Sequence, residues 1–195
     1  LLALAGSGHS HAQPAVALPE GVQAIWEMDK AHREATATRE RICLNGLWQW
    51  QPSDSHGDRI PDGNWGYFKV PGCWPGITDY MQKDCQTVHA HPSWKARPLG
   101  TVSAAWHQRE ITVPREWTGR RITLQLDYLN SYAVIHIDGQ RAGELHFPGG
   151  ELEITEYCRP GATHHLAVWV LALPLKAVLL SYTDSASAHE ADGTV

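Results

Sequence analysis

Residues 121–147 read Arg121-Ile122-Thr123-Leu124-Gln125-Leu126-Asp127-Tyr128-Leu129-Asn130-Ser131-Tyr132-Ala133-Val134-Ile135-His136-Ile137-Asp138-Gly139-Gln140-Arg141-Ala142-Gly143-Glu144-Leu145-His146-Phe147. Ile122, Leu124 and Leu126 alternate with Arg121, Thr123, Gln125 and Asp127, the period-two signature of a strand with one buried and one solvated face. Tyr132 to Ile137 forms a second strand-like run that enters Asp138-Gly139. That dipeptide is the strongest short-range hairpin signal, because both turn residues must take positive φ. Arg141 to Phe147 is then the return strand.

The same pattern extends outward in both directions. Downstream, Leu152-Glu153-Ile154 is a brief strand, and His165-Leu166-Ala167-Val168-Trp169-Val170-Leu171 is nearly all apolar, as expected of a central strand covered on both faces. Upstream, His107 to Val113 stops at Pro114, Gly66-Tyr67-Phe68-Lys69-Val70 stops at Pro71-Gly72, and residues 44–51 place Leu44, Trp48 and Trp50 on one parity. About eight short strands at close spacing, with no convincing long helix, predict an all-β, antiparallel jelly-roll β-sandwich. Residues 13–40 are polar and Ala/Glu/Arg-rich and read as a surface leader in which 21–39 could form a short helix. The ordered domain is expected to span 41–175, with a polar tail or the start of a continuation over 176–195. Residues 71–104 are long, irregular and rich in Pro, Gly, His and Trp, a length that in a compact domain points to function or disorder.

Composition narrows the function classes. The chain has 195 residues and a net charge of −5, and its longest basic stretch is Arg120-Arg121, so a nucleic-acid footprint is not expected. Nine Trp against two Phe supply broad flat apolar faces, each with one polar handle. Trp48, Trp50, Trp106 and Trp169 fall on strand parities that assign them to the core. Residues 1–12 combine a short apolar run with small residues, like the latter part of a secretory signal peptide cut after Ala12, which predicts a secreted or periplasmic protein. No segment approaches the length of a membrane span. The four cysteines, Cys43, Cys73, Cys85 and Cys158, form no C-x-x-C pair. They could be free thiols or disulfides, with Cys73–Cys85 the favoured pair because both flank one loop.

The order of strands and turns resembles the N-terminal sugar-binding jelly roll of glycoside hydrolase family 2, the family of β-galactosidases and β-glucuronidases. Asn45-Gly46-Leu47-Trp48 is similar to its opening strand, and Val70-Pro71-Gly72-Cys73-Trp74 to its Val-Pro-Gly-x-Trp segment. Trp106 to Pro114, followed by Trp117-Thr118-Gly119, resembles the next aromatic strand and turn. Ala133 to Gly139, Gly149-Gly150 with Leu152 to Thr155, and Pro160-Gly161 with Leu166 to Val170 match three further motifs in the family's order. The resemblance covers about residues 41–173. Asp138 stands where Asn is usual, an exchange expected to be harmless because both suit the turn. The family's Trp-x-x-Ser-Gly-Ile-x-Arg closing motif is absent from the sequence.

The resemblance implies a carbohydrate partner, a β-glycoside, met through a parent enzyme whose downstream domains include a (β/α)₈ barrel. In the family both catalytic carboxylates are Glu residues of that barrel, the acid/base following an Asn. Here Asn45, Asn64 and Asn130 are followed by Gly, Trp and Ser. The pair that a retaining glycosidase holds about 5–5.5 Å apart is therefore absent from this sequence, and no catalytic residue is assigned. No nucleophile elbow, P-loop or H-E-x-x-H occurs, and no cofactor or metal is expected. His164 and His165, adjacent on a strand, should face opposite ways and cannot chelate together, whereas His89 and His91 could share a face if extended. Candidate sugar contacts are His91, Trp94 and Arg97 in the 84–103 loop, and Trp74. An aromatic face with nearby donors is the minimum for stacking plus hydroxyl recognition, but Trp94 could equally be buried beneath the loop. Three functions fit: a non-catalytic domain of a family 2 enzyme, a free-standing carbohydrate-binding module or lectin, and a purely structural sandwich. If further domains follow, the apolar stretch Leu171 to Leu180 is expected to promote association when exposed.

Overall fold

A computed structural model describes residues 15–54, 56–72, 88–129 and 131–172. Eleven strands run β1 Arg33–Ala35, β2 Glu40–Ile42, β3 Gly46–Pro52, β4 Gly66–Val70, β5 Val88–His89, β6 Ala104–Thr112, β7 Thr123–Leu126, β8 Tyr132–Ile137, β9 Gln140–His146, β10 Gly150–Glu153 and β11 Thr163–Leu171. Short 3₁₀ turns occupy Leu99–Thr101 and Arg115–Trp117, and the described residues contain no α-helix. Seven strands form one sheet in the order β5-β4-β3-β6-β11-β8-β9, while β10-β7 and β1-β2 form two-stranded sheets. Every pairing is antiparallel. The antiparallel sandwich expected from the strand pattern is therefore what forms.

Side-chain alternation builds the core directly. On β8, Ala133, Ile135 and Ile137 enter one cluster with Leu166 and Val168 of β11, Ile111 of β6 and Leu124 of β7. Val134, Ala167 and Trp169 point the other way and pack with Trp65 and Trp106. β11 is thus covered on both faces, which is why its sequence is nearly all apolar. Trp48 and Trp50 share the inner face. Trp48 joins the cluster under β7 and β10, whereas Trp50 packs with Phe68, Trp94, Val102 and Ala105 under the 88–102 segment. The four Trp assigned to the core from parity are all buried.

The Asp138-Gly139 turn joins β8 to β9 with φ of +50° and +81°, the two positive values a type I′ turn demands. The expected leader differs from what forms. In place of a short helix within 21–39, β1 pairs with β2 through Arg33↔Ile42 and Ala35↔Glu40, and the pair straddles the anticipated boundary at 40/41. An Arg33–Glu40 ion pair at 2.6 Å closes this hairpin, and Trp26 packs against the main core with Nε1–H donating to Cys43 O at 2.9 Å. Polar composition concealed the hairpin because its strands are three residues long and carry no apolar alternation. Within the stretch read as irregular, Val88–His89 adds an edge strand beside β4.

The signal-like segment 1–12, Cys73, Cys85 and the tail 176–195 lie outside the described residues, as does all of the Leu171–Leu180 stretch beyond Ala172. Cys43 and Cys158 are free thiols. No helix among the described residues is long and apolar enough to cross a membrane.

Candidate functional site

The 88–102 segment brings His91, Trp94 and Arg97 into one turn but aims them inward or at neighbours. His91 is buried; its Nδ1 accepts the Ser93 N–H at 3.1 Å and lies 2.8 Å from Ser93 Oγ, bracing the turn. Trp94 is 8% exposed, sets its ring edge-on to Trp50 at 5.3 Å and donates Nε1–H to Asn64 O at 2.9 Å. Gly66 makes this fit possible. A Cβ there would lie 2.3 Å from His89 O and 2.5 Å from Trp94 Cζ2. Arg97 forms a two-point ion pair with Asp54, NH1 to Oδ2 at 3.1 Å and NH2 to Oδ1 at 2.6 Å, which holds the Asp54 carboxyl below its usual range. Of the two readings considered for Trp94, stacking on a sugar or burial beneath the loop, the geometry matches burial, with the ring wedged against Trp50. Trp74 lies outside the described residues. His91, buried in the turn, does not share a strand face with His89, and no group of three His, Cys, Asp or Glu among the described residues is placed to hold a metal ion.

Two buried polar centres organise the sandwich. Arg109 of β6 carries its guanidinium into the interior 5.0 Å above the Trp48 ring. NH1 donates to Leu44 O and, at 3.3 Å, to Asn45 O, while NH2 donates to Leu47 O and Ala24 O, both at 3.4 Å. Burial pulls its pKa down to about 10, and the carbonyls stand in for a carboxylate partner. The second centre is at the β8–β9 turn. His164 and His165 face opposite ways, as adjacent strand residues must, His164 being buried and His165 exposed. His164 Nε2 accepts the Arg159 N–H at 2.8 Å, which places the ring proton on Nδ1, 2.7 Å from Asp138 Oδ2. Asp138 Oδ1 accepts the His165 N–H at 2.7 Å, the largest cause of its carboxyl lying below the ordinary value. The Asp in place of the family's Asn is thus not neutral: it supplies two acceptors where an amide supplies one.

A feature missed from the sequence lies on the outer face of the large sheet. Residues 18–26 stand over Gln49, Tyr67, Gln108, Glu110 and His165 and enclose with them about 570 Å³. The available signal was His107-Gln108-Arg109-Glu110, four consecutive polar residues in a strand that proves central.

Comparison with known proteins places this geometry. No family model matches the chain. The β-glucuronidase of Rattus norvegicus is 24% identical over 156 residues, which is 76% of this chain and 23% of the relative. That of Canis lupus familiaris is 29% identical over 119 residues, 59% of this chain and 17% of the relative. The chain is a partial homologue of the β-glucuronidases. These enzymes belong to glycoside hydrolase family 2, so the motif-based resemblance is borne out at that level. The solved β-glucuronidase of Faecalibacterium prausnitzii superposes with a TM-score of 0.51 at 19% identity, covering 71% of this chain and 22% of that one, and bears out the sandwich fold. The chain spans about a fifth of the length of the curated β-glucuronidases it matches.

Proposed function

We propose that the chain is the non-catalytic N-terminal sandwich of a secreted family 2 hydrolase of the β-glucuronidase kind. In this reading it packs on a catalytic barrel and helps shape the barrel's sugar pocket. The observation that carries the proposal is the restricted match: β-glucuronidases align with this chain over about a fifth of their length. Chemistry in the sequence agrees, since none of its three Asn precedes a Glu and the family's acid/base motif is missing. The signal-like run at residues 1–12 supports export. A free-standing sugar-binding module gains no support from the 88–102 turn, whose aromatic ring is buried.

The test is to express the complete natural polypeptide that contains this chain and follow hydrolysis of an aryl β-D-glucuronide. Hydrolysis is expected, together with its loss when residues 41–175 are removed. A complete polypeptide that carries no barrel, or that hydrolyses the glucuronide undiminished without the sandwich, would overturn the proposal.

A further inference from the structure

The groove on the outer face of the large sheet has the chemistry of a saccharide site, and the accessory-domain reading does not use it. Its roof is the segment 15–26, tied at one end by Val16 N–H to Trp65 O at 2.9 Å and at the other by Trp26 Nε1–H to Cys43 O, also at 2.9 Å. Between the ties the segment turns on itself, Val22 N–H meeting Pro19 O at 3.1 Å, and leaves about 570 Å³ beneath it. Small-ligand clefts commonly enclose ~300–1,000 Å³. Val22 and Ile25 of the roof are exposed apolar residues, Ile25 at 79%.

The floor is set by register. Tyr67 lies opposite Gln49, Gln49 opposite Gln108, and Glu110 opposite His165, so these five side chains form two neighbouring rows across four strands. Gln108 Nε2 donates to Gln49 Oε1 at 2.6 Å. Two amides bonded once to each other leave one NH₂ and one C=O unused, whichever way each amide is turned. Gln108 is 7% exposed and lines the groove, and its remaining polar atom has no protein partner.

A free donor beside a free acceptor suits a pair of neighbouring hydroxyls, each of which both donates and accepts. The Glu110 carboxylate accepts further hydroxyls, and the half-buried Tyr67 ring offers an apolar face to C–H groups. Arg109 also borders the groove, but its NH1 and NH2 groups donate to backbone carbonyls. The Arg109 Nε–H has no partner but is sealed from solvent, so the groove presents a carboxylate and no accessible guanidinium donor, which disfavours anions. We propose that this groove binds a neutral mono- or disaccharide through Gln49, Gln108, Glu110 and Tyr67.

Saturation-transfer NMR on the 195-residue chain tests this with methyl β-D-glucopyranoside and cellobiose as neutral probes and methyl β-D-glucuronide as the anionic one. Transfer to at least one neutral probe is expected at about 10 mM sugar, a concentration suited to millimolar affinity. The paired change Gln49→Leu with Gln108→Leu removes both amides together, which largely preserves shape and stability. It should weaken binding about tenfold, the equivalent of one hydrogen-bonded contact. Glu110→Gln alters an exposed side chain, folds normally and should also weaken binding, while Tyr128→Ala, on a surface away from the groove, should not. Absence of transfer to both neutral probes, undiminished transfer in the paired variant, or a preference for the glucuronide overturns the proposal. None of these results bears on glucuronide hydrolysis by the complete polypeptide, so the two readings fail separately.

Discussion

Asp138→Asn is the sharpest test of how this sandwich is held together. Three N–H donors converge on three acceptors: His165 N–H on Asp138 Oδ1 at 2.7 Å, His164 Nδ1–H on Asp138 Oδ2 at 2.7 Å, and Arg159 N–H on His164 Nε2 at 2.8 Å. An Asn side chain keeps the turn but replaces one acceptor with an NH₂. That NH₂ then confronts either His164 Nδ1–H or His165 N–H. Moving the ring proton to Nε2 only transfers the conflict to Arg159 N–H. The His164 ring is 6% exposed and poorly reached by water, whereas the Asp138 side chain is 51% exposed, so water offsets only part of the lost bond. Leaving a buried donor unpaired costs about 1–3 kcal/mol, and a loss of about 2 kcal/mol lowers Tm by roughly 5–10 °C in a domain of this size. Acid should narrow the difference. The folded-state pKa of Asp138 is depressed, first by the His165 N–H. Its stabilisation is therefore present above the unfolded value of about 3.9 and is lost as pH falls through the lower folded value. Thermal unfolding followed by circular dichroism at about pH 7 and about pH 3 measures both effects. A Tm within about 1 °C of the parent near neutrality, where ~2 kcal/mol predicts several times that shift, would refute the reasoning. So would an acid transition identical in the two proteins.

Other perturbations follow from the same packing. Trp50→Ala empties the space of a fully buried ring that touches Phe68 and Trp94, and should cost about 3–5 kcal/mol in urea unfolding. Arg109→Met removes the donor that the carbonyls of Asn45, Leu47 and Ala24 share with Leu44 O, which keeps its bond from Trp48 Nε1–H; a loss of about 1–3 kcal/mol is expected, with faster limited proteolysis within residues 15–30, read by mass spectrometry. Burial pushes the Cys158 thiol up to about 11, so in the native chain near pH ~8 it should resist alkylation while the half-buried Cys43 reacts, as peptide mapping would show.

The legible part of this fold was the part governed by alternation. Gly66–Val70 and Tyr132–Ile137 form strands with the bounds read from the sequence, because apolar periodicity and the adjacent turn chemistry point the same way. Asp138-Gly139 announced its own geometry. The β1–β2 hairpin was hidden because an Arg–Glu pair and a single Trp at position 26 hold it, and neither leaves a periodic trace. Trp94 illustrates a different limit. A Trp in a polar loop reads the same whether it stacks on a ligand or wedges into the core, and the deciding fact, Gly66 clearing space beneath it, is 28 positions away in the sequence. The outer groove depends on which strands become neighbours, since Gln49 and Gln108 meet only through the β3–β6 register. His164 and Asp138 likewise meet through the β8–β11 pairing, which turned an exchange that looked neutral into a buried hydrogen-bond centre.

The chain is a sandwich related to β-glucuronidases, and the central proposal is that it carries no glycosidic chemistry of its own. Incubating the purified 195-residue chain with an aryl β-D-glucuronide and following release of the aglycone tests it most directly. The account predicts release no faster than in buffer. Saturable turnover that tracks the chain through purification and disappears when a carboxylate of this chain is replaced would contradict it.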